Sequence, residues 1–468
     1  MSPIGEGLVG VRIKPALEYG PEFVAALGQE LRQLLSQIGG TATEPLGEVV
    51  RPGDTVVLKP NLVFHRISDP RAALTNGWFV KAVCDLVLEA LGGRGRVIIA
   101  DVPLQSAQFS KVTQLNGLDR VMAEYERAGA PVELRDLRQE YLEVRDDGMY
   151  RGLHKLAGDP LGYHVVNMGE ASELEELGSY RSLFAVGDYD KDSTTTYHMS
   201  STRNEYLIPR TILSADVLIN LPKFKTHRKT GITCALKNLV GTCGHKSYLP
   251  HFREGRPKDG GDEFAIDHPI KELQRNTIER LKTTNALLYR AVRAVGRLVL
   301  RLATPGAPPD LRKVMGGSWH GNDTLWRTIL DLNKIVRYAD RDGRLRVTSQ
   351  RRYLCLVDGT YGGENDGPMQ PDVRHDGVLL AGRDPVLVDL VVCLLMGIDP
   401  KGIRQVSGAF DVRHYPLTSG TLSQRVQHLA EFVRSDTWPL PDLHYRLPEA
   451  WEGHVPRRRV QTESSASL

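Results

Sequence analysis

Cysteine is scarce and scattered. The five cysteines, at 84, 234, 243, 355 and 393, include no CxxC pair. That spacing argues against a disulfide framework and against an iron–sulfur cluster, and it suits a reducing, cytoplasmic setting. The start, MSPIGEGLVGVRIKPALEYG, lacks a basic stretch followed by an apolar one, so no secretory leader is expected. No uncharged apolar run reaches the ~18 residues of a spanning helix. A basic excess is missing too: 60 Lys and Arg stand against 57 Asp and Glu, a net charge of +3. A general nucleic-acid binder carries such an excess over a whole domain, so none is expected. No HExxH occurs, and the nearest fragment to a P-loop, Gly244-His245-Lys246-Ser247, puts a histidine between glycine and lysine.

What is present is an alternation of strands and helices. Residues 21–40 read as an amphipathic helix closed by Gly39-Gly40. Residues 54–101 have the size of a strand–helix–strand unit, with TVVL at 55–58, ending in Lys59-Pro60-Asn61, and RVIIA at 96–100, closing on Asp101, as strands and 77–91 as the helix. Residues 131–135 and 164–168 are weaker strands; 216–221, 353–357 and 377–382 are stronger, and 386–397 is an apolar helix opened by Asp384. The expected fold is α/β: a mainly parallel open, Rossmann-like sheet with a helical insertion. The division expected is a helical lead-in over 1–45, sheet domain over 46–254, insertion over 255–315, sheet domain again over 316–435, and a partly disordered tail over 436–468. The segment 270–304 interleaves Arg with apolar residues at helical spacing. It suits packing on the core or on a second subunit, or peripheral contact with a membrane surface.

The chemistry concentrates after the strand at 217–221. Lys223, Lys225, His227, Arg228, Lys229, Lys237, His245, Lys246 and His251 follow, and only Asp216 within 216–251 is acidic. A basic loop at the C-terminal end of a buried strand is where open sheets bind anions. Lys59, Asn61, Asp101, Asp358 and Glu364 also follow strands, so a parallel sheet would bring them to the same edge. The expected catalytic set is His227, Lys225, Lys237 and Asp358. Substrate contacts are expected from Lys59, Asn61, Asp101, Lys223, Thr230, Asn238, His245, Lys246, Asn322 and Glu364. His227, His251 and Glu364 are weak candidates for a divalent metal, and His227 could equally act as acid or base. Asp101 and Asn322 each have an alternative as helix caps.

The motifs VVLKPNL at 56–62, INLPKFKTH at 219–227 with LKNLVG at 236–241, VDG and GENDGP within 357–368, and RDPVLVDLVVCLLMGIDP at 383–400 occur in order. Together they resemble domain-of-unknown-function family 362. The stretches VIIADVPLQSAQF at 97–109 and GSWHGNDTLWRTILDLN at 317–333 resemble its long members associated with polysaccharide gene clusters. The resemblance implies the fold and the site; the family has no established activity. Some members carry ferredoxin-like cysteine clusters, which this chain lacks. The layout around GHKSYLP at 244–250 is also similar to part of nickel-pincer lactate racemases, which would imply hydride or proton transfer. The expected function is an enzyme acting on a small anionic, sugar-type precursor. The alternative is a binding or assembly protein of a polysaccharide pathway, with homo-oligomers allowed by either.

Overall fold

The computed structural model describes residues 7–47, 49–145, 149–186, 198–200, 203–282, 295–296 and 299–458. An 11-stranded sheet organises them. Its strands are β1 (Val9–Ile13), β2 (Thr55–Pro60), β3 (Arg96–Asp101), β4 (Val132–Asp136), β5 (Val217–Leu221), β6 (Lys223–His227), β7 (Gly231–Thr233), β8 (Arg352–Asp366), β9 (Gln370–Arg374), β10 (Val378–Gly382) and β11 (Val433–Ser435). The order across the sheet is β11-β1-β10-β8-β5-β2-β3-β4. From β8 to β4 every pairing is parallel, while β10 runs antiparallel to both β8 and β1. The fold is thus the expected α/β sheet, with an antiparallel element at one side.

Alternation along the strands builds two covered faces. Val56, Leu58, Val97, Ile99, Val217 and Ile219 pack under α1 (Val24–Ser36) and α2 (Gly77–Leu91). Val57, Ile98, Ala100 and Leu218 pack on the other face against Leu332, Ile335 and Val336 of α3 (Leu325–Tyr338). The fully buried α4 (Pro385–Leu395), apolar but for Asp389, covers β1, β8 and β10. Asp384 caps α4 through the Val386 and Leu387 amides, as the sequence predicts.

Strands from early and late in the described chain both enter the sheet. β1 precedes the lead-in helix, and β11 with buried Tyr445 and Trp451 brings in the C-terminal part. The weak strand at 164–168 exists as Tyr163–Asn167, but in a separate three-stranded sheet with Arg203–Pro209. Of the insertion, a helix over Ile270–Lys282 is described. Residues 283–294 and 297–298, within the expected helix 270–304, lie outside the described residues, as does 459–468 of the tail. No helix among the described residues is long and apolar enough to cross a membrane.

One expectation is overturned. The basic stretch after β5 is not a loop: Lys223–His227 is β6, buried along its whole length. The reason is β8, whose 15 residues run past the sheet and offer a further edge. Pro222 ends β5, and the chain re-enters beside the second half of β8, pairing Lys223 with Asp358 and Lys225 with Gly363.

Candidate functional site

Register gathers the site. Asn220 of β5 faces Lys59 of β2 on one side and Cys355 of β8 on the other, so the strand ends are level. Lys59, fully buried, donates to Asp101 Oδ1 at 2.6 Å and to the Pro60 carbonyl at 2.9 Å. Asp101 is therefore not a helix cap. Its second oxygen accepts the Leu62 amide at 2.8 Å. Burial pulls the Lys59 pKa down, and the Asp101 carboxylate opposes that shift.

A chain of side-chain amides runs from this pair. Lys225 Nζ donates to Asn61 Oδ1 (2.9 Å), Asn61 Nδ2 to Asn238 Oδ1 (2.9 Å), Asn238 Nδ2 to Asn220 Oδ1 (2.7 Å), and Asn220 Nδ2 to the Tyr353 hydroxyl (2.8 Å). Asn238 sits in a single helical turn, Ala235–Asn238. That turn is held by Asp389 of α4, whose carboxylate accepts the Ala235 and Leu236 amides at 2.7 and 3.1 Å. Burial raises the Asp389 pKa to about 7.

The next turn, through Gly241, closes over the ion pair. A methyl group at Gly241 would stand 2.7 Å from Lys59 Nζ and nearer still to Asp101 Oδ1. Gly241→Ala is therefore expected to cost about 1–3 kcal/mol through overpacking. Denaturant unfolding checks it; a variant as stable as the wild type would mean the turn can retreat from the pair.

The remaining cations crowd the same place. The Lys237 ammonium makes no hydrogen bond or ion pair among the described residues, and the residue is only partly buried. Desolvation, then the charges of Lys229, Lys246 and Lys59, push its pKa down to about 7. Lys246, buried and donating to the Val102 carbonyl, is brought down to about 8, chiefly by burial. Burial first, then Lys237, holds Lys225 well below the ordinary lysine value. His227 and His251 lie well below ordinary histidine, through burial and then through Lys237 and Lys229 respectively. His227 Nδ1 accepts the Lys229 amide at 3.0 Å, so neutral His227 carries its proton on Nε2. Thr230 bonds the Ile232 carbonyl at 3.0 Å beside it.

Beside this cluster, Lys223 and Asp358 form a separate buried pair at 3.0 Å, completed by Tyr19, whose hydroxyl donates to Asp358 Oδ1 at 2.5 Å. His245 is tied to Glu140 at 3.0 Å and to Ser247. Asn322 accepts the Thr324 and Leu325 amides at the start of α3 and donates to the His251 carbonyl. Glu364 is engaged by Arg446 and Arg374. So the structure brings together Lys59, Asn61, Asp101, Lys225, His227, Lys237, Asn238 and Lys246. Asp358 and Lys223 stand next to them, and Glu364 belongs to another ion-pair cluster. Among the described residues, no group of three or more His, Cys, Asp or Glu is placed to hold a metal ion, and His227, His251 and Glu364 form none.

Sequence reasoning named Lys229 only within the basic stretch, and missed Asn220, Tyr19 and Asp389 as parts of the site or its support. A signal existed for Asp389, a carboxylate in the apolar helix VLVDLVV. Such a group needs a buried donor.

The chain is similar to a thylakoid-associated protein of Synechocystis sp., at 23% identity over 414 residues, covering 88% of this chain and 83% of that protein. A crystal structure of a Thermotoga maritima protein aligns over 76% of this chain at 11% identity and a TM-score of 0.32, and this chain spans 56% of its length. The model of the domain of unknown function DUF362 matches residues 56–171 and 168–394, and the chain belongs to that family.

Proposed function

We propose that the lysine cluster at the end of β5 and β6 holds a small anionic molecule of the phosphorylated or acidic sugar type, and that the chain is an enzyme acting on it. One observation carries this reading: Lys237 lies among Lys229, Lys246 and Lys59 with no carboxylate bonded to it. Buried like charges without a counter-charge are unfavourable, and an anion relieves them. Lys59, Lys223 and Lys225 are fully buried, so they set the field from behind. Lys237, Lys229, His227, His251 and Asn61 meet the ligand. His227 donates from Nε2, and Lys237, titrating near neutrality, suits proton transfer to or from the substrate.

The pH dependence follows. An anion favours charged Lys237, so binding raises its pKa above about 7 and takes up a fraction of a proton at pH 7–8. Affinity is expected to fall as pH rises from 7 to 9. Calorimetry with inorganic phosphate in buffers of different ionisation heat measures the uptake. Binding without uptake, or uptake unchanged in Lys237→Gln, would remove Lys237 from the site. Mass spectrometry of small molecules that co-purify with the chain identifies the substrate.

A second reading has its own observation. Leu273, Val295, Val299 and Leu302 are exposed apolar residues within 270–304. They favour a docking role, at a membrane surface or in an assembly of a polysaccharide pathway. Flotation with anionic vesicles, together with absent phosphate binding, would favour it over the enzyme.

A further inference from the structure

A cavity of about 840 Å³ opens where β8 begins and α4 starts, and none of the clustered lysines lines it. Arg51, Arg337, Arg351, Arg352, Arg383 and Arg425 line it, and among the described residues Asp384 is the lining carboxylate. Asp384 is already engaged by the first turn of α4 and by the Thr418 hydroxyl at 2.6 Å. Arg352 pairs with Asp54 through Nη2 at 2.7 Å, yet its Nη1 is buried without a partner. Arg351 is 5% exposed. It donates only to the carbonyls of Val336, Leu213 and Ala339, has no carboxylate partner among the described residues, and leaves Nε unpaired. A buried guanidinium held by carbonyls alone retains its full charge and its demand for an anion. Desolvation accordingly draws its pKa down to about 10. Across the same cavity, Asn333 is 2% exposed and its Oδ1 accepts nothing. That oxygen asks for a donor. Val49, Leu239, Val336 and Leu417 supply apolar wall between these groups.

We infer that this cavity is a second ligand site, taking a small hydroxylated molecule that bears a phosphate or carboxylate. The guanidinium forks match either oxyanion, and a ligand hydroxyl meets Asn333 Oδ1. The volume falls within the ~300–1,000 Å³ of sites for such molecules. Arginine keeps its proton at neutral pH, so binding here takes up none, unlike binding at Lys237.

The test uses the full chain carrying Lys237→Gln, titrated by calorimetry with ribose 5-phosphate and with citrate. One equivalent of either is expected to bind without proton uptake, and the tighter probe tells phosphate from carboxylate. Adding Arg51→Gln and Arg383→Gln should weaken binding at least tenfold with the melting temperature checked alongside. Arg51→Gln alone, an exposed position, serves if the combination does not fold. No binding of either probe, or binding indifferent to the arginine changes, overturns the second site. Wild-type and Lys237→Gln chains that titrate identically would instead count against the lysine cluster and leave this site standing.

Discussion

Lys237→Met is expected to abolish anion binding at the lysine cluster and, at the same time, to stabilise the protein. Its folded pKa of about 7 lies below the ~10.4 of an unfolded lysine. Between those values the unfolded chain binds more protons, so this group's contribution to stability rises with pH. Below pH 7 both states are protonated and the penalty is present in full. Above about pH 10 it vanishes. Met keeps the length of the side chain and removes the charge. The expected gain is about 1–4 kcal/mol at pH 6.5, shrinking towards pH 10, with binding at least a hundredfold weaker. Chemical unfolding at two pH values, beside phosphate calorimetry, measures both. A variant that loses stability would mean that Lys237 has a counter-charge in solution. For scale, Ile219→Ala in β5 should cost roughly 2–5 kcal/mol at any pH.

Asp101→Asn is expected to destabilise by about 3–5 kcal/mol, because it leaves the ammonium of fully buried Lys59 without its carboxylate. The amide also cannot accept from Lys59, Val102 and Leu62 as the carboxylate does. Lys59→Met combined with Asp101→Asn should recover part of the loss, since the uncompensated charge goes. Unfolding of the single and double variants forms the measurement. Equal losses in both would place the effect in the Leu62 and Val102 amides rather than in the ion pair.

Much of this site was legible because its members follow strands. In a parallel sheet the C-terminal ends are level, so Lys59 meets Asp101 across 42 residues of chain and Asn61 meets Lys225 across 164. What was illegible depends on pairings that local pattern does not encode. Lys223–His227 alternates polar residues with Phe224 and Thr226 and looks solvated, yet both of its faces are covered because β8 overruns the sheet. Asp389 is 154 residues from the turn that it holds. Tyr19 reaches Asp358 across 339 residues. Glu364 has the composition of a ligand-binding acid, but Arg446, beyond β11, takes both its oxygens.

The amides between Lys225 and Tyr353 have a direction. Each turns its oxygen towards the lysines and its nitrogen towards the tyrosine. Their dipoles therefore add head to tail, and the negative end of the stack rests against the cations. Neutral groups thus steady the ammonium ions without cancelling their charge, which a carboxylate would do. The positive field is left for a visitor to neutralise. Asn238→Asp would place a resident anion there, and the site would be occupied by its own side chain.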